Sequence, residues 1–392
     1  MIIIFWIGLF IVFYTFLGYG ILLYILLKIK RLVSKSGKVS SEQKSLPSLT
    51  LVVAAYNEVD IMRSKIENCL RLQYPKHLLN FLFVTDGSTD GTPDLIAKYP
   101  EIQLMHEDRR AGKINAIHRV MKNVHSEVVV FTDANTFLNE EALLLIARHY
   151  VDPKVGAVSG EKRVDSNGAD DAASNEGLYW KYESLLKKWD SELYSVVGAA
   201  GELFSVRRSL YEPVAPDTIL DDFMISMQIA EKGYKIVYEP TAFAVESGSE
   251  NVEEELKRKV RIAAGGIQSI LRLTSLLNPL KFPILTFQYI SHRVLRWTVT
   301  PVLLPILLLL NVLILIQNDE LIYRLLMIGQ IGFYSMAVLG WIAEQNKKRY
   351  KLLFVPFYFC MMNYAVIAGI LRFAKGSQSA AWEKSKRKKI TN

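Results

Sequence analysis

From Ile2 to Leu27 the chain carries no charged side chain. A helix needs about 20 apolar residues, at 1.5 Å each, to cross the hydrocarbon core of a bilayer. This run is long enough to do so. A cleaved leader would put positive charge ahead of a shorter apolar run and end at small residues. Here Lys28, Lys30 and Arg31 follow the run, so residues 1–31 read as a permanent anchor with Lys28 onward in the cytoplasm. Composition agrees: 51% of residues are apolar, 22% are charged, and the mean hydropathy is +0.17. These values exclude a disordered, collagen-like or disulfide-stapled chain. Cys69 and Cys360 stand far apart without metal-ligand spacing.

The other apolar blocks lie at the far end. Thr298–Gln317 and Leu321–Ala343 read as a hairpin joined by the acidic turn Asn318-Asp319-Glu320 on the outer side. A third block, Leu352–Phe373, has basic residues at both ends and is interrupted by Pro356 and Asn363. A full crossing would export the basic tail Lys384–Lys389, so a re-entrant or interfacial element is expected. Leu276–Trp297 is apolar but holds Lys281, His292, Arg293 and Arg296, which suits a helix lying in the headgroup layer. The expected organisation is an anchor at 1–31, a soluble domain at 45–275, an interface helix at 276–297, membrane helices at 298–373 and a cytoplasmic tail at 374–392. The net charge of +8, from 47 basic and 39 acidic residues, gathers beside the apolar blocks. That placement fits anionic membrane lipids at the inner face of a plasma membrane. It forms no stripe across the soluble domain, so nucleic acid is not expected as a partner.

Within the soluble domain, strands and helices alternate. Leu49–Ala54, Phe81–Thr85, Ile102–Met105, Val128–Thr132 and Val155–Ser159 are continuous apolar runs separated by helical patterns. Such runs predict an α/β fold whose mainly parallel sheet is covered on both faces. Ligands of such sheets bind at the carboxyl ends of the strands. Polar clusters stand there after the first, second and fourth runs: Ala55-Tyr56-Asn57-Glu58, Asp86–Thr92 and Asp133-Ala134-Asn135. Any one of them is ordinary turn chemistry; three on one rim predict a site. Asp86, Ser88, Asp90 and Gly91 imitate a calcium loop, but its twelfth position is Ala97. Gly112-Lys113 lacks the earlier glycine and the following Ser or Thr of a phosphate loop, and no GxGxxG follows the first strand.

These segments, with Gly112-Lys113, Gly201–Arg208, Leu220–Phe223 and Gly233–Pro240, resemble family-2 glycosyltransferases of the membrane-embedded polysaccharide-synthase type, related to hyaluronan and cellulose synthases. The resemblance covers nearly the whole chain. It implies a cytoplasmic GT-A-like domain flanked by transmembrane helices, a nucleotide-diphosphate sugar as donor, most often UDP-linked, and Mg²⁺ or Mn²⁺. It implies an inverting transfer to a polysaccharide or lipid-linked acceptor. On that reading Ala55, Tyr56, Glu58 and Asp86 hold the nucleoside, and Lys113 lies near the diphosphate. Asp133 and Asn135 hold the metal, with Asn135 where the family usually has a second Asp. Asp222 is the base, because a sugar hydroxyl must lose its proton to attack, and Asp221 supports it. The local alternatives are a helix cap for Asp221 and a solvated first-turn position for Lys113.

The resemblance breaks at Arg258-Lys259-Val260-Arg261-Ile262, where processive members carry Gln-x-x-Arg-Trp. Arg258 and Arg261 share a helix face and read either as donor-diphosphate ligands or as solvated or lipid-facing charges. Trp180, Tyr182 and Glu202 are the expected acceptor residues, with Tyr179, Trp189 and Tyr194 as further aromatics. The alternative for the tryptophans is a core or membrane-interface position. A second function remains open: a catalytically reduced, nucleotide-binding membrane regulator of polysaccharide synthesis.

Overall fold

The computed structural model describes residues 1–33, 45–164, 172–248, 251–346, 348 and 350–376. The basic tail Lys384–Lys389 and the side chain of Tyr179 lie outside the described residues. The strands are β1 (Leu49–Ala55), β2 (Leu79–Asp86), β3 (Ile102–Glu107), β4 (Val128–Asp133), β5 (Thr136–Leu138), β6 (Val155–Val164), β7 (Leu203–Arg207) and β8 (Lys235–Glu246). They form one sheet in the order β3-β2-β1-β4-β7-β6-β8-β5. The first four are parallel. β7 runs antiparallel to both its neighbours, β4 and β6, and β5 runs antiparallel to β8.

Helix α1 spans Ile2–Val33. The domain helices that follow are α2 (Val59–Leu70), α3 (Thr92–Ile96), α4 (Lys113–Met121), α5 (Ala142–Ala147), α6 (Ala172–Leu193), α7 (Asp221–Glu231) and α8 (Val252–Arg272). Alternate residues of the strands pack on opposite layers. Val52, Ala54, Val129 and Phe131 meet Ile117 of α4 and Met227 of α7. Leu51, Val53, Val128 and Val130 meet Met62 of α2 and Ile146 of α5. The expected two-sided burial is therefore present, and side-chain alternation in the strands produces it.

The segment expected as one helix over 276–297 is shorter and broken. A 3-10 turn at Thr274–Leu277 precedes α9 (Pro283–Tyr289), a π-helical turn at Ile290–Val294 and α10 (Leu295–Trp297). Pro283 explains the late start, since proline suits a first helical position, where its missing N–H costs nothing. Lys281 is exposed, but the other three charged residues turn inward and do not reach out as headgroup anchors. His292 is fully buried, with one ring nitrogen 2.5 Å from Asp190 and the other 3.0 Å from Glu183. Arg293 and Arg296 each stand 2.8 Å from Glu183.

Then come α11 (Val299–Gln317), α12 (Leu321–Gln345) and α13 (Lys351–Ala374). With α1 they make four helices long and apolar enough to cross a membrane. The interruption expected in the last block is absent: α13 is continuous through Pro356 and Asn363. Proline removes a single donor near the helix start, and Asn363 turns its amide onto Phe359 O at 2.8 Å. At Gly369 of α13, an added Cβ would lie 2.6 Å from Ala263 of α8. Helix α1 is about 48 Å long at 1.5 Å per residue, longer than a hydrocarbon core of about 30 Å. Its first half packs Phe5 against Leu307, Ile314 and Tyr323. Its second half packs Tyr19 and Leu23 on Leu186 of α6, and Arg31 makes a bidentate pair with Glu192.

Candidate active site

The loops after β1 and β2 are laced together by turn chemistry. Asn57 takes a left-handed φ of 51°, which short amides tolerate. Its side-chain oxygen accepts from Thr89 N–H at 2.8 Å. Asp90 accepts from the N–H groups of Val59 and Thr92, both at 3.0 Å. Glu58 is buried, and its N–H donates to Thr92 Oγ1 at 3.0 Å. Within the Asp86–Thr92 cluster, then, Asp90 and Thr92 build the turn.

Asp86 is different. Its Oδ2 accepts from Ala111 N–H at 2.9 Å and Gly112 N–H at 2.6 Å. Its Oδ1 is buried with no hydrogen-bond partner among the described residues, Arg119 standing 3.9 Å away. Ala55, Tyr56, Asp86, Arg110, Gly112 and Lys113 line one pocket. Over it the Arg110 guanidinium stacks 3.9 Å from the centre of the Tyr56 ring. A buried acceptor with one unused oxygen costs free energy unless a ligand supplies a donor.

On the next strand, Asp133 ends β4 and Asn135 follows in the turn to β5. Lys113 opens α4, and its Nζ donates to Asp133 Oδ1 at 2.8 Å while standing 3.7 Å from Asp221 Oδ2. Burial alone would lower the Lys113 ammonium. Asp133 and Asp221 overrule that and hold it well above the usual lysine range. Asp221 and Asp222 begin α7, so the helix start that suggested a cap also aims two carboxylates at the rim. The N-cap position itself is Leu220, which has no polar side chain to cap with.

The antiparallel strand β7 completes the rim. Leu203 pairs with Thr132, so the residues just before β7 meet the carboxyl end of β4. A Cβ at Gly201 would sit 2.9 Å from Asp222 Oδ2. Burial first, then the neighbouring Asp221 charge, push the Asp222 carboxyl up to about 7. A carboxyl that titrates near neutrality can take a proton from a hydroxyl at physiological pH.

Other expected site residues are placed as follows. Glu202 is paired with Lys162 at 2.6 Å. Burial would raise its carboxyl, but Lys162 and Arg258 hold it well below the usual range. Lys162 also pairs with Glu246. Arg258 is engaged by Glu246 at 3.4 Å and Glu255 at 3.1 Å. Arg261 is half-buried, and its Nε has no hydrogen-bond partner among the described residues. Trp180 lies under the Lys259 ammonium, 5.0 Å from its ring centre. Tyr182 is not at the rim: its hydroxyl donates to Phe16 O of α1 at 2.8 Å, and Gly20 leaves it room. Trp189 likewise faces α1, 5.7 Å from Tyr24.

Sequence reasoning missed Arg110 and Lys65. Lys65 is fully buried below the β4–β5 turn and donates to Thr136 O at 2.6 Å. Its signal was legible: a lysine on the apolar stripe Met62, Ile66, Cys69 of α2 needs a buried partner. For a metal, Asp133 Oδ2 and the Asn135 amide offer hard oxygen donors, which suit Mg²⁺ or Mn²⁺ when a diphosphate completes the shell. Among the described residues no three His, Cys, Asp or Glu side chains gather as a metal cage.

Residues 50–214 match the family model described as glycosyl transferase family 2. Poly-beta-1,6-N-acetyl-D-glucosamine synthase of Staphylococcus aureus (strain MSSA476) is 28% identical over 255 residues, 62% of this chain and 61% of that protein. The enzyme of the same description from Staphylococcus epidermidis is 26% identical over 246 residues, 61% of this chain and 59% of that protein. The match thus spans about three-fifths of these relatives' length. A solved mannosyltransferase from Pyrobaculum calidifontis, in complex with GDP-Man and Mn²⁺, has the same fold. Its TM-score is 0.70 and its identity 23%, covering 95% of this chain and 99% of that one.

The titration of Asp222 gives a direct check. If Asp222 serves as a general base it must be unprotonated, and turnover should fall as pH drops below about 7. Asp221→Asn removes the charge that helps hold the Asp222 proton. The acidic limb of the pH–turnover profile should then move to lower pH by about one unit. A limb that stays in place in Asp221→Asn would remove the carboxylate pair from the titration.

Proposed function

We propose that this chain, which carries a family 2 glycosyltransferase domain over residues 50–214, transfers a sugar from a UDP-sugar to a membrane-held acceptor with inversion at the anomeric carbon. The observation that carries the reading is the cluster at the rim. Three carboxylates, Asp133, Asp221 and Asp222, surround the Lys113 ammonium, and one of them titrates near neutrality.

The roles follow from chemistry. The acceptor hydroxyl is a poor nucleophile, and Asp222 takes its proton as it attacks. One displacement with a base and no covalent intermediate inverts the reacting carbon. The departing diphosphate gathers negative charge, which fixed cations must meet. Lys113, held at the rim by Asp133 and Asp221, is the cation proposed to meet it, with Arg261 as a second; Arg258 is paired with Glu246 and Glu255. Asp133 and Asn135 would hold a divalent cation, which would neutralise further charge on the leaving group. The Mn²⁺ bound by the mannosyltransferase of the same fold supports that choice of ion.

The base preference rests on Asp86. Its Oδ2 is saturated by two backbone N–H groups and only Oδ1 is unused. Uracil presents one ring N–H to such an acceptor. Guanine presents two adjacent donors, which call for both oxygens. The acceptor side faces the membrane, where α8 is covered by α13 and Glu183 and Asp190 hold the segment Pro283–Trp297. A lipid-linked acceptor or the end of a polysaccharide held at the membrane fits that position. The relatives' product, a poly-N-acetylglucosamine, makes UDP-N-acetylglucosamine the first donor to test. In this reading the chain is an integral membrane protein of the plasma membrane with its domain in the cytoplasm.

Three measurements test the reading. Asp222→Asn should cut UDP release by at least a hundredfold while UDP affinity stays within about threefold, since the base acts on the acceptor's proton. Turnover above about a tenth of wild type would remove Asp222 from the role. Asp133→Ala, or EDTA on the wild type, should weaken UDP binding in calorimetry; full binding in EDTA would sink the metal assignment. UDP should bind at least tenfold more tightly than GDP, a difference of about 1.4 kcal/mol, and Asp86→Ala should erase that preference.

A further inference from the structure

The base does not stand on the sheet. It begins a helix, and the residue that follows it, Phe223, is buried in a seat built from four separate parts of the chain. Gly198, at φ 81°, lies so close that a Cβ would be 2.2 Å from the Phe223 ring. Tyr289 of α9 stands 6.3 Å away, ring centre to ring centre. Trp297 of α10 meets Phe223 edge-on at 5.3 Å. Gly266 of α8 makes room for the indole, since a Cβ there would lie 2.5 Å from it.

Trp297 is itself held from the membrane side. The Arg293 guanidinium lies 5.7 Å from its ring centre and pairs with Glu183 at 2.8 Å. One residue beyond Trp297 the backbone breaks at Thr298, with φ −129° and ψ −84°, and α11 enters the membrane hairpin. A continuous line of contacts therefore runs from Glu183 through Arg293, Trp297 and Phe223 to Asp222.

We infer that Trp297 is a positioning residue for the base, fixing Asp222 through the Phe223 ring so that the seating of the membrane-proximal segment sets where the acceptor's proton goes. This inference rests on the reading of Asp222 as the base. The physical reason is directional packing. Tightly packed aromatic pairs have few arrangements, and interiors are dense enough to pass a displacement on. The rotation of α7 about its first turn is fixed by what touches Phe223. On the donor side Asp86 and Asp133 hang from the sheet and Lys113 from α4; of this line only its end, Asp222, meets the Lys113 charge. A change at Trp297 should therefore reach the chemical step and leave the nucleotide alone.

The test uses the full-length protein in detergent micelles or native membranes. Turnover is read as UDP release from UDP-N-acetylglucosamine, UDP-glucose, UDP-galactose and UDP-glucuronate, and nucleotide affinity as UDP binding by calorimetry. Trp297→Ala should lower kcat about tenfold while the donor KM and the UDP Kd stay within twofold. Trp297→Phe should recover at least a third of the wild-type kcat. Phe223→Leu should lower kcat as well, and the double variant should fall no more than twofold below Phe223→Leu, because both act through one contact. Losses that multiply in the double variant, or a UDP affinity that falls with kcat, would overturn the inference. If Trp297→Ala does not fold, Trp297→Leu takes its place: a drop of twofold or more at constant KM supports the inference, and an unchanged kcat overturns it. The outcome separates from the parent reading. Turnover that survives Asp222→Asn overturns both, whereas turnover lost at Asp222→Asn but kept at Trp297→Ala overturns only the role of Trp297.

Discussion

The ammonium of Lys113 is what allows the rim to exist. Asp133, Asp221 and Asp222 reach it from two separate elements, β4 and α7. Two like charges about 4 Å apart repel by roughly 4 kcal/mol at an effective dielectric constant of 20, so three carboxylates would not gather unaided. Lys113 stands at the first position of α4, where the helix dipole disfavours a cation. Its placement is therefore set by the carboxylates and not by the helix. Gly112, at φ 94°, turns the chain into that position and also lends its N–H to Asp86. One left-handed residue thus ties the nucleoside side of the site to the charge side.

The second constraint is topological. Four parallel strands deliver Asp86 and Asp133 to one edge, as any parallel sheet would. They cannot deliver the base, because the next element in the sheet must approach that edge from elsewhere. The antiparallel β7 does so. Its first residue lies beside Thr132, which brings Gly201 and Glu202 to the rim, and α7 then starts against Gly201. The close approach of Gly201 helps to desolvate the half-buried Asp222 carboxyl, and desolvation is the leading cause of its raised pKa.

This division explains what the amino-acid pattern revealed. Continuous apolar runs made β1 to β4 and β6 legible, together with the helices between them, because two-sided burial leaves a signature in every residue. β7 is five residues long, Leu203–Arg207, and β5 is three; neither is long enough to carry a period. Asp86 and Asp133 stood out in polar clusters at strand ends, whereas Lys113 and Asp222 were singled out by the family resemblance, their local patterns fitting a solvated first turn and a helix start equally well. Tyr182 was not legible, because an exposed aromatic on a helix reads alike whether its partner is a sugar or another helix. Here its partner is the backbone of α1. Arg258 was ambiguous for a similar reason: the carboxylates that claim it, Glu246 and Glu255, lie on a strand end and on its own helix. Only folding brings the strand end close.

Charge also decides where the domain ends. Residue 275 is a natural boundary by hydropathy, since apolar sequence begins there. The buried polar cluster ignores it. Asp190 of α6 receives the Tyr19 hydroxyl from α1, the Gln288 amide at 3.1 Å and a His292 ring nitrogen at 2.5 Å. Glu183, one helical face along, takes His292, Arg293 and Arg296. Burial would raise the Glu183 carboxyl, yet these three cationic or polar partners hold it well below the usual range. Removing the partners would leave carboxylates buried and uncompensated, which costs several kcal/mol. The segment after residue 275 and the second half of α1 are therefore parts of the folded domain. The nucleotide side hangs on the sheet; the base side leans on Phe223, Trp297 and the charges that hold Trp297 in place. On the proposed reading, a site divided in this way holds the nucleoside at the edge of the sheet, but needs the membrane-facing segment seated before the acceptor's proton has somewhere to go.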